Sequence, residues 1–125
     1  MKQTFKKEER LKSRKDIEGL MEGGTAISVS PIKMIWKEAV WKGSIHAKAT
    51  VAVSKKNFRK AVDRNKLKRR MREAFRKNKL KLVDELQQKN KKINLMFIHA
   101  NKEMSAYSLI ESSIIKTLEK LRTSL

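Results

Sequence analysis

At 125 residues the chain is sized for one domain with a single modest core. Lys and Arg number 32 against 13 Asp and Glu, and the net charge of +19 points to nucleic acid or an anionic membrane as partner. The lack of cysteine excludes disulfides and thiolate metal sites; no apolar run approaches the ~18 residues of a membrane helix, and no hydrophobic segment follows the charged N-terminus. A cytoplasmic protein is expected.

The first 15 residues carry seven basic and two acidic side chains, and residues 1–12 are expected to be a flexible basic arm of one domain spanning 1–125. Ser13 then precedes RKDIEGLMEGG. Ile17, Leu20 and Met21 fall at i, i+3 and i+4, the spacing of a short helix capped by Ser13 and stopped at Gly23-Gly24, although Gly19 weakens its interior. After the glycines the pattern changes. Ile27, Val29, Ile32, Met34 and Trp36 alternate around Pro31, and Ile45, Ala47, Ala49, Val51 and Val53 resume the alternation after a Lys42-Gly43-Ser44 turn. Strands are predicted near 27–40 and 45–54, the first broken or bulged at Pro31, which cannot donate to a ladder.

The stretch Lys55–Lys81 holds 14 Lys and Arg against two acids, Asp63 and Glu73. From Arg64 it reads as an amphipathic helix: Leu67, Met71, Ala74 and Phe75 form one stripe at i, i+4, i+7 and i+8. Asn65, Arg69, Arg72 and Arg76 lie nearly opposite, with Lys68 at the border. Like charges at i, i+4 cost a few tenths of a kcal/mol per pair. Local stability is thus given up for a positive field, and a polyanion is its natural partner. Peripheral membrane binding is the weaker reading, because the apolar stripe is narrow and sized for a core.

Leu80–Lys89 (LKLVDELQQK) reads as a further helical piece, and Ile93–Ala100 (INLMFIHA) as a strand buried on both faces. Tyr107, Ile110, Ile114, Leu118, Leu121 and Leu125 then mark an amphipathic helix with Ser105 as its cap. The order of elements predicts an α+β sandwich.

Catalytic signatures are missing. His46 and His99 stand alone in strand-like segments, without a His or an acid at metal-ligand spacing, and read as structural or surface residues. There is no phosphate-cradling glycine loop or nucleophile elbow, and the basic region offers no converging carboxylates for catalytic metals. Phosphate binding fits better, since arginine forks match phosphate oxygens and act through counterion release. Asn65 in the cationic row can bond a base edge, a phosphate or a backbone group, or cap a helix end. Charge does not separate RNA from DNA; the scarcity of aromatics argues against a stacking platform, and no helix-turn-helix is evident.

The run VAVSKKNFRKAVDRNKLKRRMREAF closely resembles the signature of the bacterial ribonuclease P protein family: Arg64-Asn65 followed by Lys68, Arg69 and Arg72, preceded by Ser54-Lys55-Lys56. The RLK of Arg10 to Lys12, the helix and the glycines after it are also similar. The resemblance implies an α-β-β-β-α-β-α sandwich, with helices on a mainly antiparallel sheet and a left-handed β-α-β crossover. It implies the protein subunit of an endoribonuclease that matures the 5′ end of tRNA, with ribonuclease P RNA and precursor tRNA as partners. Catalysis is expected in the RNA, with Mg²⁺ held mainly there; no protein or membrane partner is indicated. Lys55, Lys56, Arg59, Arg64, Asn65, Lys68, Arg69, Arg72 and Arg76 are the RNA-binding candidates. Family members often line a cleft for the substrate's 5′ leader with aromatics on the first helix and an early strand. This chain places Ile17, Met21 and Ile35 there, which stack on bases less well; strand alternation points Trp36 to the opposite face from Ile35. The alternative is a structural RNA-binding protein of ribosomal type without a role in cleavage, and a nuclease acting alone is the third possibility.

Overall fold

The structure is a computed structural model that describes residues 5–125. A single 3-10 turn at Lys7–Glu9 precedes helix α1 (Arg14–Gly23), which begins where expected: the Oγ of Ser13 accepts the Asp16 N–H at 3.3 Å. Strands β1 (Thr25–Val29), β2 (Ile32–Glu38) and β3 (Ala47–Val53) follow, then helices α2 (Ala61–Asn78) and α3 (Leu80–Lys89), strand β4 (Ile93–His99) and helix α4 (Tyr107–Thr123). This is the α+β architecture predicted, with LKLVDELQQK as one further helix.

The sheet order is β1-β2-β4-β3. β1 and β2 form an antiparallel hairpin in which Val29 pairs with Ile32, so the cis Ser30–Pro31 unit makes the two-residue turn. The predicted break at Pro31 is therefore a strand reversal, and β2 stops at Glu38. β4 runs antiparallel to β2 and parallel to β3. A parallel neighbour requires a long crossover, and α2 with α3 supplies it. Flanked on both sides, β4 is buried from Ile93 through Phe97, as its continuous apolar run predicts.

One sheet face carries the main core. Leu67, Met71, Ala74 and Phe75 of α2 and Ile110, Ile114, Leu118 and Leu121 of α4 pack with Met34, Leu95 and Phe97. Trp36 faces the same side, opposite Ile35, as alternation requires. The other face carries a smaller cluster of Leu11, Leu20, Ile35 and Met96 beneath α1, with Ile17 and Ile98 at its border. Gly24 permits this approach: a Cβ there would sit 2.5 Å from Ile35 Cγ2 and from the Leu20 carbonyl.

Two expectations change. Residues 1–4 of the expected flexible arm lie outside the described residues, but from Phe5 onward the arm is docked. Leu11 is buried and donates its N–H to Ala49 O at 2.9 Å, Arg10 bridges Ala49 in parallel, and the Phe5 ring meets Phe75 edge-on at 5.7 Å. Glu9 pairs with Lys79 in a contact that leaves the lysine 6% and the acid 13% exposed. The driving forces are an edge strand with unpaired backbone groups and a nearly buried ammonium. Ser105 does not cap α4, whose N-cap is Ala106. The buried His99 claims Ser105 instead, with Nε2 and Oγ 2.8 Å apart, and Arg70 Nη1 donates to the Ser105 carbonyl at 2.6 Å.

Burial holds the His99 pKa below its ordinary value of 6.5. Above that value folded and unfolded chains are both neutral at this site. As pH falls through it, the unfolded chain takes up a proton that the folded one resists, so stability declines. Between about pH 7.5 and about pH 5 the protein is expected to lose more stability than a His99→Gln variant, measured as denaturant midpoints. Equal pH slopes would exclude a buried neutral His99.

Candidate nucleic-acid interface

Burying the α2 stripe fixes what the opposite side presents. Leu67, Met71, Ala74 and Phe75 are at most 1% exposed, and the i±3/i±4 geometry turns Asn65, Arg69 and Arg72 outward, all three exposed. Lys68 is half-exposed at the margin, as its border position predicts. α2 starts at Ala61, one turn before the predicted Arg64, with Lys60 at its N-cap. Asn65 is therefore inside the helix and caps nothing, and its amide makes no hydrogen bond among the described residues. Lys55, Lys56 and Arg59 extend the basic surface from the end of β3 into α2, all exposed. Ser54 shapes that turn, its Oγ accepting the Lys56 N–H at 3.1 Å.

Two candidates have structural duties as well. Arg64 Nη1 donates to the carbonyls of Phe58 and Arg59, each at 2.8 Å, folding the entry segment onto the helix. Arg76 forks onto Glu73, with Nε 3.2 Å from Oε2 and Nη2 on Oε1. That bond holds the Glu73 carboxyl below its ordinary range and the Arg76 guanidinium above its own. The open part of the row is thus Asn65, Lys68, Arg69 and Arg72, none of which makes an ion pair among the described residues. Nearby, burial and then the hydrogen bond to Glu111 push the Tyr107 hydroxyl up to about 12, so it remains a neutral donor at 3.1 Å from that acid.

The three leader-cleft candidates are not brought together as one open lining. Ile35 is 7% exposed beneath α1, and Ile17 is half-buried at the border of the same cluster. Met21 alone is open, at 65%. The cause is the close seating of α1 on β2 and β4 that Gly24 allows. On the Ile35 side of the sheet the register adds exposed Lys33 and Lys37 of β2 and half-buried Lys48 of β3. Sequence reasoning passed over these, although their odd or even spacing from Ile35 and Thr50 was readable. It also passed over the arm as part of a site: Arg10 and Lys12 border a cavity of about 210 Å³ shared with Arg72 and Thr50.

Among the described residues there is no group of three or more His, Cys, Asp or Glu able to hold a metal ion, and no helix is long and apolar enough to cross a membrane.

The ribonuclease P family model matches residues 5–122, nearly the whole chain. The chain belongs to the ribonuclease P protein family. A ribonuclease P protein component from Porphyromonas gingivalis is 32% identical over 115 residues, covering 92% of this chain and 84% of that protein. One from Chlorobium phaeobacteroides is 28% identical over 131 residues, covering 97% and 90%. In fold, the chain is similar to a Staphylococcus aureus RNase P protein mutant (TM-score 0.72, 22% identity, 93% of this chain and 90% of that one). The RNase P protein from Thermotoga maritima gives a TM-score of 0.68 at 24% identity, covering 90% and 96%. Family membership makes the chain a subunit of a ribonuclease P and displaces the ribosomal-type alternative.

Proposed function

We propose that this ribonuclease P protein subunit binds the enzyme's RNA along the open cationic row of α2 and the Lys55–Arg59 turn, and assists that RNA in maturing the 5′ end of precursor tRNA. The observation that carries the reading is the row itself: Asn65, Lys68, Arg69 and Arg72 project from a helix whose other side is wholly buried, without carboxylate partners among the described residues. Their mutual repulsion is relieved when phosphates cover them, and released counterions add to the affinity.

The chain's own donors do not suit a resident Mg²⁺ on this face. Glu73 is tied to Arg76, and Asp63 stands without a second acid beside it in α2. In this reading Mg²⁺ and the cleavage step reside in the RNA, and the protein's part is to screen phosphate repulsion and fix strands in place. For the 5′ leader, the lysines at 33, 37 and 48 with Met21 provide a cationic and partly apolar surface along α1 and the sheet. Leader contact here rests on charge and aliphatic packing, not on aromatic stacking.

The test is reconstitution with a bacterial ribonuclease P RNA and precursor tRNA at low Mg²⁺. Restored 5′ cleavage is the expected result. RNA binding without restored cleavage, or cleavage by the protein alone, would overturn the reading.

A further inference from the structure

We infer that the N-terminal arm and α2 together build a site for one RNA phosphodiester at the edge of β3, an inference that rests on the RNA-binding role proposed above. Arg10 and Lys12 from the arm and Arg72 from α2 border the same cavity of about 210 Å³, which Thr50 completes on the strand side. No carboxylate lines it. The three cations are exposed, and none makes an ion pair among the described residues. Three like charges around one opening repel one another, and an anion held between them reverses the sign of that interaction.

The site is held from both sides. On the arm, the Arg10 guanidinium carbon lies 5.4 Å from the centre of the Phe5 ring, and Phe5 is itself fixed against Phe75. The Leu11 N–H bond to Ala49 O and the Glu9–Lys79 pair fix the backbone on either side of Arg10. On the other wall, Arg72 leaves a helix anchored by Met71 and Phe75. Arginine forks bind phosphate and carboxylate oxygens alike, and the RNA-binding role proposed above makes the phosphodiester the occupant. Such a phosphodiester can belong to the ribonuclease P RNA or to the precursor tRNA.

Arg10→Gln, Lys12→Gln and Arg72→Gln, singly and together in the full chain, test this. The readout is the dependence of affinity on salt, for ribonuclease P RNA and for precursor tRNA bound to the reconstituted holoenzyme. Cations that share one phosphate remove one contact between them. The triple variant is expected to lower the log–log salt slope by about 0.7 to 0.9 for one of the two RNAs and to weaken it about tenfold, with non-additive single effects. The RNA affected names the strand that enters the cavity. A slope loss equal to two or three contacts would mean separate phosphates and overturn the shared site, as would no change with either RNA. A wild-type chain that binds neither RNA would instead sink the proposed function, and this site with it.

Discussion

Replacing Lys68 and Arg69 together by alanine is expected to weaken binding to ribonuclease P RNA about 30-fold at physiological salt, from roughly 1 kcal/mol for each solvated phosphate contact. The salt slope is expected to fall by about 1.4 to 1.8, because two phosphates would no longer release counterions. The fold is not expected to suffer. Arg69 is exposed, Lys68 is at the margin of the stripe, and neither bonds a carboxylate among the described residues. Their removal also relieves like-charge repulsion along α2. Binding titrations at several salt concentrations, with thermal melts of the same samples, separate the terms. An unchanged slope beside a weaker affinity would show that neither side chain meets phosphate.

The second large effect is on stability. Phe75→Ala is expected to cost about 3–5 kcal/mol, the range for emptying a buried aromatic site. Phe75 is 1% exposed and joins two parts of the molecule, meeting Phe97 of the central strand at 5.5 Å and Phe5 of the arm at 5.7 Å. A domain of this size is stable by only about 5–15 kcal/mol, and a net charge of +19 works against compaction, so the loss is a large part of the total. Urea unfolding checks it: the midpoint should fall sharply with the m-value unchanged. A cost under about 1 kcal/mol would mean that the ring is not the core anchor its burial indicates.

What was legible in the sequence followed from periodicity. The α2 stripe and the α4 steps repeat at 3.6 residues, and β4 is a continuous apolar run, so each face assignment follows from spacing alone. The cationic row was readable for the same reason, being the complement of the stripe. The hairpin was harder. Alternation slips by one residue between Val29 and Ile32, and a two-residue reversal without glycine resembles an interrupted or bulged strand. The arm was not legible because its charges suggest solvation. The partner that ties down Glu9 is Lys79, 70 residues later, and no local pattern encodes such a pair. Ser105 misled in the same way: a serine before a helix is a good cap, but His99 needed it more. Ile17 and Ile35 could line a cleft or fill a core by sequence; Ile35 is buried beside the room that Gly24 leaves, and Ile17 stays half-buried at the border of that cluster.

The docked arm also bears on how the chain is born. Phe5 to Leu11 are synthesised before the surfaces that receive them, Ala49, Phe75 and Lys79. Until then the segment has no surface to dock on. The outer margin of the sheet at β3 is closed by a segment that precedes it in the chain and has to wait for it.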